Sequence, residues 1–152
     1  MEKSTIIVLI LAIAVVSTIV TAIVKKKIYT DLYLAVTGKN YDYFFEKVDK
    51  TMARAMLNTY VREGMRLNVY IDRNEKDEVK KQFNKMMKMK LSNYQKSDLF
   101  TKGYRYYYQQ GDMQKAGKIY KQMKTVMSEE QLSQYENFLA TSMKNYKRQC
   151  EV

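Results

Sequence analysis

Twenty consecutive residues, Thr5 to Val24 (TIIVLILAIAVVSTIVTAIV), carry no charge. As a helix rising about 1.5 Å per residue, the run is roughly 30 Å long, the thickness of a bilayer's hydrocarbon core. A retained membrane anchor and a cleaved signal peptide compete for such a segment. The positive region ahead of it is weak, because Glu2 cancels Lys3. The run also exceeds the usual ~7–15 apolar residues of a signal peptide, and no small-x-small cleavage site follows. The segment therefore reads as an anchor, and residues 1–27 as that anchor with its basic flank.

Lys25, Lys26 and Lys27 follow the run, against Lys3 and the terminal amine before it. Positive charge is retained on the cytoplasmic side, so the expected arrangement is a single-pass protein whose domain, residues 28–152, is cytoplasmic. The single cysteine, Cys150, cannot form an internal disulfide and suits a reducing compartment. No breaker separates the lysines from Ile28 to Val36, so the membrane helix is expected to run on into the first helix of the domain.

That domain reads as helical throughout. The chain has five glycines, no proline, and many Lys, Met, Gln and Glu residues, which favours helix over strand. Three stretches have apolar residues at helical spacing on both sides of a polar turn. The first turn is Thr37-Gly38-Lys39-Asn40, followed by Tyr41, Phe44, Phe45 and Val48. The second is Asp72-Arg73-Asn74-Glu75, preceded by Leu67, Tyr70 and Ile71 and followed by Val79, Phe83, Met86 and Met87. In the third, Phe100, Tyr104, Tyr107 and Tyr108 share one face, Gly111 ends the helix, and Asp112 caps the next one. That next helix carries Met113, Ala116, Tyr120, Met123 and Met127 on one side, with the small Ala116 allowing close approach of the two backbones. A last helix from Ser128 to Tyr146 opens on a possible capping box, Ser128 with Gln131, and presents Leu132, Tyr135, Leu139, Met143 and Tyr146.

The stretch YYYQQGDMQKAGKIYKQM resembles a tetratricopeptide repeat, a helical hairpin of about 34 residues that stacks into right-handed solenoids. The resemblance rests on Tyr107, Gly111, Asp112, Ala116 and Tyr120, with Met123 where the family usually has alanine and Tyr104 where it has a small residue. Phe44 and Val79 align with Ala116, at offsets of 35 and 37 residues. The fold implied is all-α: a transmembrane helix, a short solenoid of about three hairpins, and a C-terminal helix that caps the last apolar face. In this family the first helix of each hairpin lines a concave groove. The matching positions are Thr101, Arg105, Tyr108 and Gln109, which would receive an extended peptide or an acidic tail of a protein partner. Glu63 to Ile71 would supply the neighbouring wall.

The formal net charge is +11, and +8 of it lies beyond residue 27. The densest run is KKQFNKMMKMK, with Lys80, Lys81, Lys85, Lys88 and Lys90. Anionic lipid headgroups, nucleic acid contacted jointly by lysines and tyrosines, and an acidic partner gripping a Met-rich basic helix all fit such a run. So does an ordinary solvated face with Phe83, Met86 and Met87 in the core. The 14 tyrosines are mostly expected in the core, hydroxyls at its edge. Tyr106 and Tyr108 are set apart, because three consecutive tyrosines do not all face inward on one helix.

Catalysis has little to work with. Without histidine there is no His-based triad or histidine metal site, one cysteine makes no zinc or iron–sulfur centre, and no Gly-rich phosphate loop occurs. The acidic pairs Asp77/Glu78 and Glu129/Glu130 fall at helix starts, where they complement the helix dipole. The expectation is a non-enzymatic interaction protein with no cofactor or metal, acting as a membrane-tethered adaptor. The alternatives are a basic module on lipid or nucleic acid, or a structural subunit of a membrane complex that covers Ile28 to Val36. Oligomeric state is left open.

Overall fold

Residues 2–150 of the chain are described by a computed structural model, excluding the side chains of residues 2–4, 138, 139 and 142–150. The described residues form eight helices and no strand: α1 (Glu2–Thr37), α2 (Tyr41–Val48), α3 (Thr51–Met56), α4 (Thr59–Asp72), α5 (Lys76–Met87), α6 (Asn93–Gln109), α7 (Met113–Met123) and α8 (Glu129–Cys150). They divide into two compact units, Met1–Val79 and Lys80–Val152, so α5 begins in the first and ends in the second.

Helix α1 runs for 36 residues without a break. From Thr5 onward it is long and apolar enough to cross a membrane, with a mean hydropathy of 3.0 in a window that is 0 % buried. Its last third is different. Leu32 and Ala35 are 1 % and 6 % exposed and form one core with Phe44, Val48, Ala53, Leu57, Met65 and Val69 of α2, α3, α4 and the α3–α4 corner. Polar ties surround that core. The Tyr43 hydroxyl donates to Asp31 at 2.9 Å, the Tyr41 hydroxyl donates to Asp72, and the Phe45 and Tyr70 rings lie 5.6 Å apart. Asp49, just after α2, accepts from Arg66 and has Arg54 and Arg62 at 3.7 and 3.9 Å. The hydrogen bond from Arg66 holds the Asp49 carboxyl below its ordinary value.

Three helices, α1, α4 and α6, end in the same way. Lys39, Asn74 and Gly111 take left-handed backbone conformations with φ of 56°, 55° and 74°. After each, an N–H reaches back to a carbonyl of the last turn: Asn40 to Ala35 at 2.9 Å, Glu75 to Tyr70 at 2.9 Å, and Asp112 to Tyr107 at 2.9 Å. This is the Schellman closure, which satisfies carbonyls a helix end leaves free. The three left-handed residues stand 35 and 37 residues apart. Five residues beyond each left-handed position, Phe44, Val79 and Ala116 are all buried. Helix starts recur similarly. Asn58 caps α4 by accepting from the Tyr60 N–H at 2.7 Å. Ser92 with Gln95 and Ser128 with Gln131 form reciprocal capping boxes at α6 and α8. These caps stand 34 and 36 residues apart.

In the second unit α6 packs against α7 with Gly103 at the crossing. A methyl group there would come within 2.8 Å of the Phe83 Cζ and 3.1 Å of the Ile119 Cδ1. Around this contact Leu99, Phe100, Tyr107 and Met123 are buried. The buried face of α6 is therefore centred on Gly103 and not on Tyr104. Tyr106, expected to face away from the core, is 5 % exposed, whereas Tyr104 and Tyr108 are only half-buried. Met113, expected on the packed side of α7, is 58 % exposed, and Ile119 takes its place inside. On α8, Leu132 is buried and Tyr135 half-buried; the side chains of Leu139, Met143 and Tyr146 lie outside the described residues.

Two glycine substitutions on neighbouring helices should act with opposite sign. Gly103→Ala gains helix propensity but overpacks the crossing, for a net loss of about 1–2 kcal/mol. Gly117 has nothing within 4 Å of an added Cβ, so Gly117→Ala should stabilise by about 0.5–1 kcal/mol. Urea unfolding of the full chain in detergent micelles, followed by circular dichroism, measures both.

Candidate functional site

Thr101, Arg105, Tyr108 and Gln109 fall at i, i+4, i+7 and i+8 of α6 and so form one stripe. Arg105 and Gln109 are exposed, Thr101 and Tyr108 half-buried. The stripe runs beside α8: the Tyr135 hydroxyl donates to the Thr101 carbonyl at 3.1 Å. Thr101 thus serves partly to seat α8, leaving Arg105 and Gln109 as the open part of the stripe.

Tyrosines build the floor of this surface. The Tyr104 ring lies 5.8 Å from Tyr108, 5.8 Å from Tyr120 and 6.1 Å from Tyr135, joining α6, α7 and α8 in one aromatic cluster. Offset and edge-to-face contacts of this kind add about 0.5–1.5 kcal/mol per pair beyond area burial. The Tyr120 hydroxyl donates to Glu136, tying α7 to α8, and this bond raises the tyrosine's pKa. Burial pushes the Tyr135 phenol up to about 12, with the positive charge of Arg105 working in the opposite direction. Burial likewise raises Tyr104. The result is a neutral aromatic patch rimmed by one exposed guanidinium, an amide and the carboxylate of Glu136. It can stack on apolar or planar groups and donate hydrogen bonds to a carboxylate or a peptide carbonyl.

Tyr120 and Glu136 lie outside the four residues expected to form the groove. Their membership depends on side chains 16 to 34 residues apart in the chain. The apolar spacing already placed Tyr104, Tyr120 and Tyr135 on packed faces, which was the available signal.

The basic run occupies α5 and the residues after it. Lys80, Lys81, Lys85, Lys88 and Lys90 are all exposed, while Phe83 and Met86 between them are buried and Met87 is half-buried. Lys81 and Lys85 also take part in polar or electrostatic interactions within the fold. The carboxylate pairs Asp77/Glu78 and Glu129/Glu130 sit in the first turns of α5 and α8. Among the described residues no three Asp, Glu, His or Cys side chains gather closely enough to hold a metal ion.

Comparison with protein-family models, curated proteins and solved structures returns no match to this chain.

The buried phenols give a pH signature. Tyr135 ionises more readily unfolded than folded, so its contribution to stability is complete below about pH 10 and is lost as pH rises towards 12. Urea midpoints should fall across that interval, and Tyr135→Phe should flatten the decline without abolishing it, because Tyr104, Tyr106 and Tyr107 are raised as well.

Proposed function

We propose that this chain is a single-pass, membrane-tethered adaptor. Its helical hairpins form a short tetratricopeptide-like array that recruits a protein or peptide through the surface around Arg105 and Tyr108. The observation that carries this reading is the recurrence of local geometry. Left-handed helix ends at Lys39, Asn74 and Gly111 alternate with helix caps at Asn58, Ser92 and Ser128, at spacings of 34 to 37 residues. An array of hairpins with a closing helix, α8, requires that alternation, and about 34 residues is the tetratricopeptide period. The exposed Arg105 and Gln109 over a tyrosine floor fit recognition of a peptide end or an acidic segment; aromatic residues and arginine are the side chains that most often dominate such contacts.

The tether rests on the apolar, unburied run of α1 and on its unbroken passage into a folded core through Leu32 and Ala35. Cleavage behind the apolar run would cut a helix whose next turns are structural. The lysines after the run favour a cytoplasmic domain. The sequence has no histidine and no metal-ligating cluster occurs among the described residues, which supports a reading as a binding protein.

A second reading draws support from the exposure of all five lysines between Lys80 and Lys90: the domain holds an anionic surface, lipid or nucleic acid, by charge. Salt separates the two. A photoreactive side chain placed at Gln109 of the full-length protein should crosslink to a discrete protein in cells. Arg105→Ala or Tyr108→Ala should cut the adduct by about 5- to 100-fold, the range of a hot-spot residue, with weak dependence on salt. Adducts that vanish at high salt, and in a variant with the five lysines changed to glutamine, would support the anionic-surface reading instead. Labelling of Cys150 by an impermeant thiol reagent only after cells are opened is the expected result for a cytoplasmic domain.

A further inference from the structure

We infer that the cleft between α1 and the α3–α4 corner is a binding site for one anionic phospholipid of the host bilayer. The inference rests on reading α1 as the membrane anchor.

The cleft has a volume of about 400 Å³ and is lined by Ala22, Lys25, Lys26, Tyr29, Leu57, Asn58 and Val61. That volume is in the range of small-ligand sites. Its position along α1 is what identifies the occupant. If the uncharged run ending at Val24 fills the hydrocarbon core, Ala22 lies about 3 Å inside its edge and Tyr29 about 7.5 Å beyond it. The headgroup layer is itself about 5–8 Å deep on each side. The cleft thus opens at the depth where phospholipid phosphate and glycerol reside, and its two ends differ as a lipid's do. Ala22, Leu57 and Val61 present apolar wall, while Lys25 and Lys26 present two ammonium groups that have no acidic partner among the described residues.

A third donor set comes from α4. Asn58 uses its side-chain oxygen to cap the helix at the Tyr60 N–H, which leaves its NH2 group as a donor at the cleft. The amino end of this 14-residue helix carries positive partial charge, and anions bind at such ends. A soluble anion would satisfy the lysines and leave the apolar wall wet. A neutral lipid would cover the wall and place its choline against the lysines. An anionic phospholipid satisfies both, and the anchor holds it at the entrance.

The test uses the full-length chain reconstituted in bilayers of phosphatidylcholine with a minor fraction of phosphatidylglycerol, then extracted in mild detergent and weighed by native mass spectrometry. Phosphatidylglycerol should remain bound at roughly fivefold or more above its bulk fraction, the factor one basic contact supplies. Lys25→Gln with Lys26→Gln should return the ratio to bulk. Ala22→Phe should do the same by filling the cleft; Ala22 is exposed on α1, outside the folded core. Changing Lys80, Lys81, Lys85, Lys88 and Lys90 to glutamine should leave the enrichment intact. Absence of enrichment in the parent chain overturns the site, and so does enrichment that survives Ala22→Phe, which would mean diffuse attraction by the lysines alone. Alkaline carbonate extraction in parallel tests the anchor itself. A chain that stays in the membrane without enrichment loses only the lipid site, and a chain released by carbonate loses both.

Discussion

Everything in the first unit depends on α1 being one helix. Its apolar run, the three lysines and the core residues Leu32 and Ala35 share a single axis, with neither glycine nor proline between Glu2 and Thr37 to let them bend apart. Burial of Leu32 alone, at about 1.5–3 kcal/mol, commits the end of this helix to the folded part. The start has no such cover: the run from Thr5 is apolar and unburied, and long enough to cross a membrane. On the proposed anchor reading, one element would serve two solvents, with the boundary at Lys25 to Lys27.

Local features of this fold were legible in the sequence. Gly111 and Asp112 announce a turn and a cap, the Ser128–Gln131 pair announces a helix start, and the polar clusters at residues 37–40 and 72–75 mark the other hairpins. Each is encoded by residues within a turn of one another. The rotation of α6 was not legible, because reading the large apolar residues as the packed face ignores what a glycine permits. Phe83 and Ile119 pack into the space that a side chain at Gly103 would fill, so the face turns towards it and carries Tyr106 inward. The separation of α2 from α3, with Asp49 held by Arg66 beside the break, likewise depends on partners far along the chain.

The same division governs the candidate surface. Four residues of α6 follow from helical spacing and the family resemblance, but what surrounds them follows from tertiary packing. Thr101 lends its carbonyl to Tyr135, and Tyr120 lends its hydroxyl to Glu136. The aromatic cluster is thereby held from three helices. If the proposed partner binds there, its members would give up little further conformational freedom, a cost that more mobile side chains would still have to meet.

Helix α1 ends at Thr37, about 20 Å past Val24 at 1.5 Å per residue, and closes on the left-handed Lys39. A helix also turns by about 100° with each residue. Because nothing between Val24 and Leu32 interrupts the winding, the azimuth of the first unit's core about the α1 axis is geared to residue number. One inserted residue would shift that unit along the axis by 1.5 Å and turn it by about 100° against the apolar run, whereas seven would shift it by about 10 Å and restore nearly the original bearing. Helical phase, more than helix length, decides which flank of the first unit lines up with a given face of the apolar run.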